Sequence, residues 1–533
     1  MISCGTNQNN IIESGPENNR KRYFFALDGW RFWAALIIVL HHSVHMPYFV
    51  QKTDFAFWLY TFSMTFFFML SGFVAANSIN NRQWDFNSTL NYYVARLIRI
   101  WPCHFLILLI ILVMPFTVRS AGPFAANLFL LQSWFPWQSF YFSYNVPSWY
   151  LSSLMAIYLM MPLFVRYFKT CLCFSLILPV CLFFIVPDNY HTYFFYISPL
   201  SNMFKFLAGI LVHQFVSYRL RSSSSETLSG KHFFLWSILE IALAAAVFVL
   251  AWNSGSLYGF LGKYLNPGCC TWIVNNYLVP LMAVFLVVFS LEKGMVSRLL
   301  SSRFSLSLGK ISFVLFLWHV IIRQIIEYYD LFHHIPMKWR LLLFVGTAVI
   351  LSFPLEYCIN SPIIRRLSSF HKKHPLCLAG LRPYAPLTPA IGAVVLYLGC
   401  VIPRTADYTP FIFSTMKSVC DNAIPDQVKI YPNNQLLLHP GQKPTSAIFQ
   451  LNRCIDKFSC NLQMHYEKGD VIVNFYLDDR LVKSIHVTGK DLFRKIVLSC
   501  ANAGQLRIEV DKNGNMTCDG MVLNSVSFNG CSN

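Results

Sequence analysis

The chain has 533 residues, of which 55% are hydrophobic, 17% aromatic and only 12% charged. Soluble globular domains carry about 25% charged residues, so this composition excludes an ordinary soluble protein and points to a polytopic membrane protein. The formal net charge is +18, with +2 in residues 410–533 and +16 before them; that excess sits in loops between apolar runs, where topology rather than nucleic-acid binding explains it.

Residues 1–22 are polar and end in Asn19-Arg20-Lys21-Arg22. No small-residue cleavage site follows a short apolar run, so the first span is expected to be an uncleaved anchor with its basic flank inside. That span, residues 30–50, carries Arg31 near its start and His42 within it. On one helix the two lie roughly 16 Å apart along the axis and within about 20° of the same face. Ionisable groups in a bilayer are costly and usually face a protein interior or a wet cavity. The competing account is a snorkelling arginine and a histidine satisfied by a neighbouring helix.

Hydropathy predicts eleven spans, at 30–50, 55–76, 100–118, 149–168, 171–186, 199–218, 233–252, 271–291, 311–326, 341–359 and 387–402. Residues 124–134 are apolar but too short to cross, which suggests an interfacial or re-entrant segment. With the N-terminus inside, the inner loops hold Arg82, Arg96 and Arg99, then Arg166 and Lys169, and later Arg365, Arg366, Lys372 and Lys373. The outer loops at 188–198 and 253–270 hold at most one lysine. This is the positive-inside pattern, and an odd number of spans puts the C-terminus outside. Glu240, Glu356, His104 and His213 lie at or near spans and are expected to bond within the helix bundle.

From residue 404 the chain turns polar and alternates with a period of two. Strands are expected at 471–477, 481–487, 505–510 and 521–528, with a hairpin at Asp478-Asp479 and a turn at Lys512-Asn513-Gly514. A small β-sandwich follows from this pattern. It holds Cys420, Cys454, Cys460, Cys500, Cys518 and Cys531, an even count that suggests disulfides in an exoplasmic domain. The remaining cysteines have no metal-binding spacing, and no metal is expected. The domain plan is a cytoplasmic tail 1–22, a membrane domain 23–403 and an exoplasmic domain 404–533.

Four stretches keep polar residues inside apolar sequence: Asp28-Gly29-Trp30-Arg31 with His42, Phe66–Phe73 ending in Ser71-Gly72-Phe73, Arg96-Leu97-Ile98-Arg99-Ile100-Trp101-Pro102, and Ser312 to Trp318-His319. A fifth, Pro147-Ser148-Trp149-Tyr150-Leu151-Ser152, opens the fourth predicted span. In this combination and order the chain resembles the membrane acyltransferase 3 family, whose members O-acylate cell-surface glycans. The family's first-helix Arg and His match Arg31 and His42. Its phenylalanine-rich Ser-Gly-Phe run matches Phe66–Phe73, its Arg-x-x-Arg-Ile-x-Pro run matches Arg96–Pro102, and its late Ser and Leu-Trp-His match Ser312–His319. The resemblance covers about residues 22–402. One departure is that many members carry an acid after the Trp-x-Leu-Ser pattern, whereas Leu154 and Met155 follow Ser152-Ser153 here.

The resemblance implies an O-acyltransferase that moves an acetyl or other short acyl group from cytosolic acetyl-CoA to a cell-surface polysaccharide, such as lipopolysaccharide O-antigen or its lipid-linked precursor. His42 would be the base, with Asp28 orienting Arg31 and with His319 a second base or acceptor-side ligand. Arg31, Arg96, Arg99 and Ser71 would hold the polyanionic donor, and Trp149, Tyr150 and Ser152 the acceptor. The setting implied is a bacterial inner membrane, with the C-terminal domain in the periplasm. Arg96 and Arg99 also suit mere topological anchors, and His319 a structural hydrogen bonder. After residue 404 no Gly-Asp-Ser esterase signature occurs; the segment 445–528 resembles the NPCBM carbohydrate-binding β-sandwich, with a spacer domain as the alternative. The rival functions are a transporter or flippase of a lipid-linked glycan, which lacks an evident inverted repeat, and a lipid-linked glycosyltransferase, for which the first outer loop offers only Asp54. The oligomeric state is not encoded in any pattern found here.

Overall fold

The computed structural model describes residues 23–43, 58–79, 84–114, 120–186, 190–222 and 230–376, and in the C-terminal part 416–417, 428–431, 435–438, 445–450, 455–464, 470–488, 494–500, 503–512 and 521–530. The chain divides into two compact units, Met1–Val401 and Ile402–Asn533.

The first unit is helical. Its elements are α1 (Phe25–His41), α2 (Tyr60–Ile79), α3 (Phe86–Val113), α4 (Ala121–Leu128), α5 (Gln138–Tyr141), α6 (Trp149–Leu159), α7 (Met161–Arg166), α8 (Phe168–Leu182), α9 (Pro199–Ser222), α10 (Gly230–Trp252), α11 (Ser254–Leu261), α12 (Pro267–Asn276), α13 (Val279–Leu291), α14 (Met295–Leu300), α15 (Arg303–Tyr328), α16 (Met337–Pro354) and α17 (Ser361–Lys373). Among the described residues six stretches are long and apolar enough to cross a membrane: Phe86–Val113, Tyr193–Leu220, His232–Trp252, Pro267–Leu291, Arg303–Tyr328 and Met337–Lys373. With shorter apolar helices at Tyr60–Ala76 and Phe168–Leu182, this fits a multi-pass membrane protein.

The structure departs from the predicted spans at particular places. The span expected at 149–168 is broken at Met160, where Pro162 opens α7; a proline cannot donate the helical hydrogen bond and clashes with the preceding turn. The tenth span does not stop at residue 359. α16 runs through a π-helical turn at Leu355–Asn360 into α17 as one stretch to Lys373. There Glu356 accepts from Asn360 Nδ2 at 2.7 Å and Ser361 Oγ at 2.5 Å, bridging the turn that absorbs Pro354 and Pro362. At 1.5 Å per residue this stretch is about 55 Å long, well beyond the roughly 30 Å hydrocarbon layer, so its basic end extends past the apolar zone. The eleventh predicted span, 387–402, lies outside the described residues. The short segment at 124–134 is, as its length required, not a span: α4 ends in a turn with Leu130 at φ 56°. It is pinned to α3 by Trp101 Nε1 to the Leu128 carbonyl (2.9 Å) and His104 Nε2 to that of Asn127 (2.8 Å).

Close helix packing rests on glycine. A Cβ on Gly72 would collide with the Phe206 carbonyl of α9, and a Cβ on Gly209 with the Met69 carbonyl of α2. The two backbones therefore touch reciprocally, the small-residue contact that membrane helices use. Gly309 of α15 meets the Asp28 carbonyl of α1 in the same way. Buried acids serve as anchors. Glu240 of α10 accepts from the amides of Gly294 and Ser297 (both 2.9 Å) and from Ser297 Oγ (2.5 Å), capping α14. The half-buried Glu292 accepts from the Ala26 amide at the start of α1 (3.0 Å).

The second unit holds β1 (Met416–Lys417), β2 (Val428–Tyr431), β3 (Gln435–Leu438), β4 (Thr445–Gln450), β5 (Ile455–Met464), β6 (Asp470–Leu477), β7 (Arg480–Thr488), β8 (Arg494–Ser499), β9 (Gln505–Lys512) and β10 (Met521–Gly530). They form two five-stranded antiparallel sheets, ordered β1-β4-β9-β6-β7 and β2-β3-β10-β5-β8. Phe449, Val473, Phe475 and Ile508 of one sheet and Phe458, Leu462, Ile496 and Leu523 of the other share one core. The β6–β7 hairpin turns at Asp478 and Asp479, both with positive φ (45° and 62°), as a two-residue turn demands. Cys460 and Cys500 are buried free thiols, which corrects the expected disulfide framework for these two; the other four cysteines of this unit lie outside the described residues.

Candidate active site

One end of α1 collects charge. Asp28 Oδ1 meets Arg31 Nη1 at 3.1 Å, a one-turn pair with both side chains about a quarter exposed (25% and 29%). Arg99 of α3 lies in the field of Arg31, Arg96 and Asp28. Arg96 is held between two phenol rings, 5.0 Å from the centroids of Tyr92 and Tyr158. Next to this group Ser71 Oγ and Tyr150 Oη are hydrogen-bonded at 3.2 Å, and Tyr150 senses the charge of Arg31. Ser71 and Tyr150, which the sequence assigns to opposite substrates, are therefore direct neighbours. Three arginines with one nearby carboxylate, partly open to solvent, suit a polyanion.

The other end of α1 is a histidine site. The helix stops at His41 and His42 is its C-cap, so His42 stands at the end of the described helix rather than in its middle. His42 Nδ1 lies 2.9 Å from the Ile38 carbonyl and 3.1 Å from His319 Nε2. His319, wholly buried on α15, places its own Nδ1 3.1 Å from the Leu315 carbonyl. These contacts determine the tautomers. A carbonyl only accepts, so His319 carries its proton on Nδ1 and its Nε2 is a lone pair. His42 must then carry its proton on Nδ1, shared between Ile38 O and His319 Nε2. Its Nε2 is left as an unprotonated base, and among the described residues nothing hydrogen-bonds it. Arg323, one turn beyond His319, donates from Nη1 to the His42 carbonyl at 2.7 Å.

An aromatic row adjoins this pair. The rings of His41 and Tyr60 are 5.0 Å apart, Tyr60 and Tyr196 5.6 Å, and Tyr196 and Trp149 4.9 Å. Tyr150 packs the other way, against Phe68 at 4.7 Å and Phe316 at 5.5 Å. Consecutive residues of α6 thus reach toward the two ends of the site, and further along that helix Tyr158 meets Arg96. Ser152 is not brought to either end. Its buried hydroxyl donates to the Leu130 carbonyl (2.8 Å) and accepts from Ser133 N (3.1 Å) and Ser133 Oγ (2.8 Å), which fixes residues 130–134 against α6.

Sequence reasoning overlooked Arg323, Tyr60, Tyr196 and Lys205. Lys205 is wholly buried on α9, with Nζ 3.0 Å from Asn202 Oδ1 and 5.7 Å above the Phe68 ring. For Arg323 and Lys205 a signal existed: each is a lone cation inside an apolar run. Among the described residues no three His, Cys, Asp or Glu converge as a metal ion would require.

A family model described as an acyltransferase domain matches residues 24–359. Among curated proteins the chain is similar to Acyltransferase MdmB of Streptomyces mycarofaciens, 29% identical over 154 residues, which is 26% of this chain and 39% of that protein. The match thus spans well under two thirds of that relative. No solved structure matches the chain.

Proposed function

The chain belongs to the acyltransferase 3 family and is an acyltransferase, and from that premise we propose that it moves an acetyl or other short acyl group from acyl-CoA to a hydroxyl of a cell-surface polysaccharide or its lipid-linked precursor. The observation that carries this reading is the His42–His319 contact, because it leaves a neutral imidazole whose Nε2 lone pair is unengaged among the described residues, at the end of α1. Acyl transfer to a hydroxyl needs such a base. In the proposed step His42 Nε2 takes the acceptor hydroxyl proton as that oxygen attacks the thioester carbonyl. The tetrahedral intermediate collapses, the C–S bond breaks, and the imidazolium returns the proton to the departing thiolate. While His42 is charged, its Nδ1–H bond to His319 Nε2 becomes charge-assisted and stronger, so His319 stabilises the cation as an acceptor.

The two ends of α1 suit the two ends of the donor. Arg31, Arg96 and Arg99 offer bidentate guanidinium groups to phosphates. Arg31 and His42 are about 16 Å apart along the helix, a separation suited to a long, flexible pantetheine arm. The ring row Trp149, Tyr196, Tyr60 and His41 gives the histidine end flat faces with polar edges, which suits a sugar acceptor. In this reading the N-terminus is cytoplasmic and the second unit lies outside a bacterial inner membrane, as the loop charges favour. The second unit would bind glycan: Arg507 lies 4.0 Å over the Tyr476 ring, and Glu509 accepts from both (3.0 and 3.2 Å), a polar and aromatic group facing away from the sheet core.

The test is label transfer in inverted membranes, with radiolabelled acetyl-CoA, a glycan acceptor, and wild-type or His42→Ala protein. Transfer by the wild type and its loss in the variant are expected. Unchanged transfer by His42→Ala removes His42 from the chemistry, and transfer to no glycan at all removes the acceptor class.

A further inference from the structure

The C-terminal turn of a helix has carbonyls with no intrahelical partner and frays unless something ties it. His42 sits in that turn. Ser43 secures part of it, with Oγ donating to the Val39 carbonyl (2.6 Å) and N to the Leu40 carbonyl (2.9 Å). The His42 carbonyl is taken by a different helix, through Arg323 Nη1 at 2.7 Å. A cation at this position also opposes the negative end of the helix dipole.

His319, Arg323 and Glu327 lie four residues apart on α15, so they form one stripe. His319 holds the imidazole of His42 and Arg323 holds its backbone. Glu327 Oε2 lies 3.8 Å from Arg323 Nε, with only 12% and 13% of the two side chains exposed. This pair is unlike the structural acids of the bundle. Glu240 has three donors and Glu356 two, whereas Glu327 Oε1 and Arg323 Nε are buried with no hydrogen-bond partner among the described residues. An incompletely satisfied buried ion pair is a poor way to gain stability. Its placement beside His42 fits another role.

We propose that Arg323, braced by Glu327, is a positioning residue for His42: with His319 it grips the base at two points, imidazole and carbonyl, and so fixes the direction of the Nε2 lone pair. Without Arg323 the imidazole would keep its contacts to the Ile38 carbonyl and His319, and Ser43 would still tie Val39 and Leu40, but the His42 carbonyl would lose its tie to α15 and the end of α1 its anchor to that helix. Small misplacements of a reacting group are costly, because proximity and alignment supply much of the rate.

The proposal rests on His42 being the base, and full-length protein in membranes tests it by steady-state acyl transfer. Arg323→Gln is expected to lower kcat about 100-fold while leaving the acyl-CoA KM within about threefold. Arg323→Lys retains a cationic donor and is expected to recover at least about tenfold of that loss. Glu327→Gln is expected to cost about tenfold. A kcat for Arg323→Gln within about threefold of wild type, or a fall matched by loss of donor affinity, overturns the proposal. Should Arg323→Gln not accumulate, wild-type kcat in both Arg323→Lys and Glu327→Gln overturns it, and selective loss of kcat in Glu327→Gln supports it. Activity surviving in His42→Ala would instead fail the underlying reading, whereas an inactive His42→Ala beside a fully active Arg323→Gln fails this proposal alone.

Discussion

Substitution of His319 separates an accepting role from a basic one. In His319→Leu the Nε2 lone pair that faces His42 Nδ1 at 3.1 Å is gone, while the Ile38 carbonyl at 2.9 Å still holds the Nδ1 proton. The tautomer of His42 is therefore retained, and only the added stabilisation of its charged form is lost. A hydrogen bond to a charged group contributes about 1.5–3 kcal/mol, equivalent to about a 13- to 160-fold fall in kcat. Removing the base itself costs about 10²–10⁴, so His42→Ala should fall further. His319→Gln can turn its amide oxygen toward Nδ1 and should recover most of the loss. The assay is transfer from labelled acyl-CoA at saturating donor and acceptor, with donor KM measured separately. An effect under about threefold, or a loss in His319→Leu as complete as in His42→Ala with no rescue by glutamine, would refute the tautomer argument; the second result would make His319 the base.

Two further outcomes follow from packing. Gly72→Ala forces its Cβ against the Phe206 carbonyl, and the reciprocal contact at Gly209 stops α2 and α9 from sliding apart cheaply; the cost expected for such overpacking is about 1–3 kcal/mol, read as a lower thermal midpoint in detergent, and an unchanged midpoint would show that the helices are not in backbone contact. In the second unit, burial pushes the Cys460 thiol up to about 12, whereas an unfolded cysteine ionises near 8.5. The folded-state value is the higher one, so this contribution is fully present below about pH 8.5 and is lost as pH rises toward about 12. The unit should therefore weaken to denaturant above about pH 9, and Cys460 should react with a thiol reagent only on unfolding; rapid alkylation of the native protein at pH 8 would contradict its burial.

Much of the site was legible because its key spacings are local. Asp28 and Arg31 pair one turn apart as their spacing requires, and the strands at 471–477 and 481–487 with Asp478-Asp479 between them read directly as β6, β7 and their turn. The rest depends on which helices meet. Nothing within either motif says that Ser71 and Tyr150 touch, because that contact is made between α2 and α6. Ser152 sits in the same motif as Tyr150, yet one helical turn aims it at residues 130–134 instead. Within Ser71-Gly72 the division is sharper still: Gly72 is small because a carbonyl of α9 presses on it, and Ser71 beside it turns to the site. Arg323 was passed over although it is a lone cation in an apolar run, because its partner, a backbone carbonyl on another helix, leaves no trace in side-chain patterns.

The spacing between the arginines and the base has a structural cause beyond α1 itself. α1 and α15 pack along much of their length, and two of their contacts are Asp28 against Gly309 and His42 against His319. Between these two contacts α1 rises about 21 Å and α15 about 15 Å, and the pair is held at both ends. A rod held at one end transmits a shift to the other, because helices bend far less readily than loops. Gly309 lies ten residues along α15 from His319, and Asp28 fourteen along α1 from His42. Under the proposed reading a donor gripped at one end and deacylated at the other needs that separation constant, and the packed pair of helices supplies it.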